Sequence, residues 1–208
     1  MRTSIWFVRH GQTLANQQRR YQSRSDTPLT AYGQRQICAL ARRLQRIPFD
    51  VALVSPTERT HLMASAILAD RPSIAHVMAP AWIETDHGDW EGLTYHEVLA
   101  RFPHTAQQRF SDVLHGKATH GESLAEVATR VAGAWSDLLQ HYRGGRVLVV
   151  THATPIQLAL CTVSGVTVTR HWQWRVDLGS ITALDVYASN TIVRMVNEVP
   201  RIAVPKET

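Results

Sequence analysis

Four residues from three stretches far apart in the chain have side chains suited to phosphoryl transfer. Arg9 and His10 stand in "WFVRHGQT", residues 6–13, Arg59 follows Ser55-Pro56 in "SPTERT", and His152 directly follows "RVLVVT", residues 146–151. A neutral imidazole is a nucleophile that forms covalent intermediates. Guanidinium groups present rigid forks of donors that match phosphate oxygens. A second histidine, when protonated, adds positive charge where a phosphoryl group transfers. The set still needs an acid to protonate the leaving oxygen. "WIETDHGDWEGLT" offers Glu84, with Asp86, Asp89 and Glu91 as alternatives in the same stretch. Taken singly, each residue has a bland reading. Arg9-His10-Gly11 reads as a strand end with a turn, Arg59 as a solvated helix face and His152 as a core histidine.

The elements around these residues turn the coincidence into a constellation. Strand-like and helix-like segments alternate along the chain, which argues for a layered α/β domain. Ser4 to Val8 reads as a buried strand. Thr30 is a good N-cap for a helix on which Ile37, Leu40, Ala41, Leu44 and Ile47 keep helical spacing and which Pro48 ends. "VALVS", 51–55, is a second strand, and Thr60 to Leu68 a second helix. A further strand is expected near 74–79. Thr94-Tyr-His-Glu97 and Ser123-Leu-Ala-Glu126 are capping boxes, the second opening a long helix. Residues 146–151 are the most apolar strand and are expected at the centre. A helix over 155–163 follows, then two late strands in "SITALDVY" and "TIVRMVN", expected to be antiparallel. Arg9 and His10, Ser55 with Arg59, and His152 thus all follow strands. In open α/β sheets the loops beyond the strands' carboxyl ends converge on one crevice.

The chain has 208 residues, 44% of them apolar and 19% charged, with a formal net charge of +5. This is ordinary globular composition, and the balance favours anionic partners. The positive charge is spread along the chain without a helix-turn-helix or an aromatic stacking motif, which argues against nucleic acid as the partner. Cys38 and Cys161 sit in apolar helical patterns and are expected to be buried free thiols in a reducing compartment. The apolar run Ile5–Val8 is too short for a signal-peptide core, and no window approaches a membrane span. These features predict a soluble, cytoplasmic protein, as a monomer or homodimer, with one domain over residues 1–208.

"RHGQT", "SPTERT", "ETDHGDWEG" and the histidine after the late apolar strand, in this order, resemble the histidine phosphatase superfamily, which includes the cofactor-dependent phosphoglycerate mutases. The likeness runs from Ser4 to about Ser180, with "LTAYGQRQ" and "GESLAEVATRV" fitting its connecting segments. It implies a three-layer α/β/α sandwich with a mostly parallel central sheet and helices on both faces. It further implies that His10 becomes phosphorylated, that Arg9, Arg59 and His152 bind the phosphoryl oxygens, and that Glu84 is the proton donor and later the base. Asn16 and Gln22 match phosphate-contacting positions, as does the amide of Ala153 after His152. No metal and no organic cofactor is implied. Ala153 and Ser23 stand where glycine is frequent and His87 where the family has an apolar aromatic residue. Ser23 and His87 are therefore expected to line the substrate pocket.

Two segments stay open. Arg19, Arg20 and Arg24 form a basic run that reads either as a solvated loop or as one with a side chain reaching a second anionic group of the substrate. "HGKATHG", 115–121, reads as a loop over the site, and weakly as a zinc site. The segment between Glu84 and His152 is short, where the mutases carry a long enclosing insertion. The expected activity is therefore hydrolysis of phosphorylated small molecules. A phosphoglycerate mutase is the runner-up and a non-catalytic phospholigand binder a minor alternative.

Overall fold

The computed structural model describes residues 1–202; the last six residues of the expected 1–208 domain lie outside the described residues. In chain order the elements are β1 (Thr3–Arg9), α1 (Leu14–Gln17), α2 (Ala31–Leu44), β2 (Val51–Val54), α3 (Glu58–Ile67), β3 (Ala75–Met78), α4 (Tyr95–Arg101), α5 (Pro103–Ser111), α6 (Leu124–His141), β4 (Arg146–Thr151), α7 (Ala153–Ser164), β5 (Ile181–Val186) and β6 (Thr191–Glu198). Short 3₁₀ turns cover Pro80–Trp82, Gly88–Trp90 and Val168–Gln173.

One six-stranded sheet runs in the order β3-β2-β4-β1-β5-β6. The pairs β1/β4, β2/β4 and β2/β3 are parallel. The late strands pair antiparallel, β1 with β5 and β5 with β6. Strands buried on both faces read as continuous apolar runs, and β1 and β4 show why. Ile5, Phe7, Val147 and Val149 face α6 and α7 with Leu138 and Ile156. Trp6, Val8, Leu148 and Val150 face α2 and α3 with Leu40 and Met63. The result is the expected three-layer α/β/α sandwich. A small satellite core of Trp90, Val98 and Ala106, with Tyr21 against it, lies under α4 and α5.

Local chemistry sets most boundaries. Thr30 caps α2 by accepting from the Gly33 amide, and both expected capping boxes form, at Thr94/Glu97 and Ser123/Glu126. Each such cap stabilises its helix by about 1 kcal/mol. Helix α2 ends at Leu44, before Pro48 can act as its stop. Helix α3 begins at Glu58, earlier than read, because Thr57 already has extended backbone and serves as the N-cap. Cys161 is buried but Cys38 is exposed, which corrects the expectation for that thiol. The α2 stripe facing the sheet is Gly33, Gln36, Ile37, Leu40 and Leu44, and Cys38 falls outside it. Among the described residues no helix is long and apolar enough to cross a membrane.

Candidate active site

The strand order brings the dispersed residues together. β2, β4 and β1 are neighbours, so the segments leaving their carboxyl ends are neighbours too. His10 continues β1, with its amide donating to the Thr151 carbonyl of β4 at 3.2 Å, and the Ser55 amide donates to the Val150 carbonyl at 3.0 Å. The His10 and His152 rings lie 5.2 Å apart, centroid to centroid.

His10 is almost fully buried, with 4% of its surface exposed. Its Nδ1 lies 2.8 Å from the Gly11 carbonyl. A carbonyl only accepts, so Nδ1 carries the proton and Nε2 keeps a free lone pair. Burial, and then Arg59 and Arg9, hold this imidazole well below its usual range, so it is neutral and nucleophilic at physiological pH.

His152 is also fully buried. An Arg59 guanidinium N–H reaches its Nδ1 at 3.4 Å, which leaves the proton on Nε2, and Nε2 donates to Ser55 Oγ at 2.8 Å. Burial, His10 and the two arginines push its pKa well down. In the site as it stands His152 is therefore a neutral group, and the positive charge comes from the arginines.

Arg59 is buried although charged. It donates to the carbonyls of Ser25 (2.9 Å) and Ser23 (2.7 Å) and pairs with Asp26 at 3.1 Å. Arg9 donates to the Val176 carbonyl at 2.7 Å. The Nε atoms of both arginines are buried without a partner. Unpartnered buried donors are rare and call for an explanation such as a missing ion.

A cleft of about 330 Å³ adjoins this cluster through Arg9, with Asn16, Gln22, Glu84 and His87 also in its wall, while His10, Arg59 and His152 are buried and do not line it. Glu84 accepts from the Thr85 amide (2.9 Å) and from the Thr154 amide at the start of α7 (3.4 Å). The other three acids are engaged elsewhere. Asp86 holds Gly88 and Arg24, Asp89 meets His120, and Glu91 accepts from Ser23 and Ser25. Glu84 is thus the carboxylate in the cleft wall.

The remaining sequence expectations divide. The Ala153 amide, at the first position of α7, has no hydrogen-bond partner among the described residues. Asn16 turns its Oδ1 to Thr13. Gln22 accepts from Thr13 Oγ1 and donates to Ser25 and Thr27. Ser23 does not line the cleft, contrary to expectation: it is fully buried and its hydroxyl bonds Glu91. Arg20 is paired with Glu97 and Arg24 with Asp86, while Arg19 reaches the cleft wall. The 115–121 loop does not line the cleft. Its Thr119 carbonyl accepts from the Asp89 amide, so it buttresses the stretch that carries His87. His115 and His120 join no group of three potential metal ligands among the described residues.

The family model described as histidine phosphatase superfamily (branch 1) matches residues 5–199. The chain belongs to the histidine phosphatase superfamily. Phosphoserine phosphatase 1 of Hydrogenobacter thermophilus is 30% identical over 91% of this chain and 90% of its own. Adenosylcobalamin/alpha-ribazole phosphatase of Escherichia coli is 30% identical over 93% and 95%. The crystal structure of the alpha-ribazole phosphatase of Shigella flexneri superposes with a TM-score of 0.90 at 29% identity, covering 99% of this chain and all of that one.

Within this histidine phosphatase two supporting residues escaped the sequence reading. The Gln36 side chain accepts from the Gln12 amide (2.8 Å) and donates to the Leu178 carbonyl (2.6 Å), tying the His10 loop to the approach of β5. The approach is close: a Cβ on Gly33 would lie 2.1 Å from the Gln12 carbonyl oxygen. Glu91 is the second, accepting from the amides and hydroxyls of Ser23 and Ser25. Both sit inside quoted motifs, "LTAYGQRQ" and "ETDHGDWEG", but only their contacts reveal what they hold. Tyr21, Tyr95 and Thr154, also in the cleft wall, carried no signal.

Proposed function

We propose that the protein is a metal-independent phosphomonoester hydrolase acting through a phosphohistidine at His10, and that residues 1–208 form one such domain. One observation carries the reading: a neutral buried imidazole with a free Nε2 lies beside the buried Arg59 and the half-buried Arg9, whose Nε donors are both buried and unmet.

The substrate phosphoryl group binds against Arg9, Arg59, His152 and the Ala153 amide, with Asn16 and Gln22 at its edge. Gln22 must release a present partner to make such a contact. His10 Nε2 attacks phosphorus, the P–O ester bond breaks, and Glu84 delivers a proton to the leaving oxygen. Glu84 then takes a proton from water, the water oxygen attacks phosphorus, the N–P bond breaks, and phosphate leaves. The arginines neutralise the transferring oxygens throughout, as a metal would otherwise do. Small phosphorylated metabolites suit a cleft at the lower end of the usual 300–1,000 Å³ range. The unpaired thiols support a reducing, cytoplasmic setting.

The test is a screen of sugar, nucleotide and phosphoglycerate esters with EDTA present. Release of phosphate unaffected by the chelator is expected, and it is expected to exceed interconversion of 3-phosphoglycerate in the presence of 2,3-bisphosphoglycerate. Dependence on added zinc or magnesium would refute the metal-independent mechanism, and efficient interconversion with little free phosphate would make the protein a mutase.

A further inference from the structure

The cleft wall holds a positive charge, that of the exposed Arg19, which the proposed catalysis does not use. Arg20, Tyr21, His87 and Tyr95 share that wall. Arg20 is neutralised by Glu97 at 2.8 Å, and burial keeps His87 below its usual range and so uncharged. Arg19 has no ion-pair partner among the described residues. The phenol hydroxyls of Tyr21 and Tyr95 likewise have no hydrogen-bond partner there, and burial raises the Tyr21 pKa, so that hydroxyl stays a donor.

The main chain at Arg19 is fixed, while its side chain is exposed. The φ of Arg19 is +55°, in the left-handed region that an arginine seldom adopts. The chain on either side is fixed: the Arg19 amide bonds the Asn16 carbonyl, the Arg20 amide bonds Ala15, and Tyr21 exchanges bonds with Leu93 and Gly92. A guanidinium on an anchored loop, facing a cleft with two free hydroxyl donors, suits an anionic oxygen pair.

We propose that Arg19, with the hydroxyls of Tyr21 and Tyr95, forms a second anion subsite that selects phosphomonoesters carrying another anionic group, a carboxylate or a second phosphate, beyond the scissile phosphate. The proposal rests on the hydrolase reading and names the substrate class of that same site.

Matched substrates test it: phosphoglycolate and ethane-1,2-diyl bisphosphate against ethyl phosphate. The wild type is expected to prefer the doubly functional esters at least tenfold in kcat/KM, and the relative rates of the two name the preferred second anion. Arg19→Gly removes the side chain at a φ that glycine adopts freely, and Arg19→Asn is a second variant that tolerates it. Both are expected to cut the preference ratio about tenfold or more, through KM. Arg46→Gln, in the exposed turn after α2, removes the same unit of charge and is expected to keep the ratio. Loss by one factor on all substrates in the Arg19 variants, or an equal fall of the ratio with Arg46→Gln, would overturn the subsite. Calorimetric binding of phosphoglycolate and ethyl phosphate to His10→Ala protein needs no turnover. Equal affinities there would overturn the subsite even if hydrolysis is observed. A preference abolished by Arg19→Gly would support it even if hydrolysis is not.

Discussion

In the proposed mechanism His10 and Glu84 divide the chemistry, and their surroundings suit the two roles. His10 owes its neutrality to burial beside two guanidinium groups and its free Nε2 to the Gly11 carbonyl. Glu84 is held at the cleft wall by the Thr85 and Thr154 amides. An alkoxide needs a proton as it departs, whereas nitrophenolate hardly does. General acids contribute roughly 10²–10⁴-fold where protonation matters. Glu84→Gln is therefore expected to slow single-turnover phosphorylation of His10 by alkyl phosphates by about that factor. With p-nitrophenyl phosphate the same step is expected to be much less affected, followed by a stall at the phosphoenzyme. Equal slowing of both substrate classes would remove Glu84 from the acid role.

The element that holds Arg59 for the proposed anion site is the loop between α1 and α2. Glu91 accepts from four donors, the amides and hydroxyls of Ser23 and Ser25, and the carbonyls of those serines hold the Arg59 guanidinium. Glu91→Gln loses part of this set, with an expected cost of about 1–3 kcal/mol. Because the loop positions Arg59, affinity for inorganic phosphate is expected to fall as well, by about tenfold, equivalent to about 1.4 kcal/mol. A stability loss with unaltered phosphate affinity would show that the loop does not position Arg59. The sequence made the sheet strands and helices legible through apolar runs, caps and spacing, and it placed Arg9, His10, Ser55 and His152 at neighbouring strand ends. It did not reveal Gln36 or Glu91 as clamps, nor bury Ser23, because those depend on pairings 24 to 142 residues apart along the chain. Cys38 misled for a simpler reason: one step along a helix turns a side chain by about 100°, and an apolar neighbourhood does not tell which side it faces.

At the scale of the whole molecule, the buried neutral histidines tie stability to pH. The pKa values of His10 and His152 are held well below the unfolded value near 6.5. The unfolded chain therefore binds protons below pH 6.5 that the folded one refuses, so this stability is complete above that pH and is lost as pH falls beneath it. Each such histidine contributes up to about 1.4 kcal/mol per pH unit. His87 and His171 shift in the same direction, while exposed His120 beside Asp89 opposes them weakly. Urea midpoints in phosphate-free buffer are expected to drop between pH 6.5 and 5.5, with a shallower drop for His10→Ala. An identical slope in that variant would contradict the buried-neutral assignment. The measurement that bears most directly on the account is rapid quench with a ³²P-labelled phosphoester. The account predicts acid-labile, base-stable label on His10 that forms before phosphate is released and is absent from His10→Ala. Equal labelling of the two proteins, or phosphate release at the wild-type rate from His10→Ala, would contradict it.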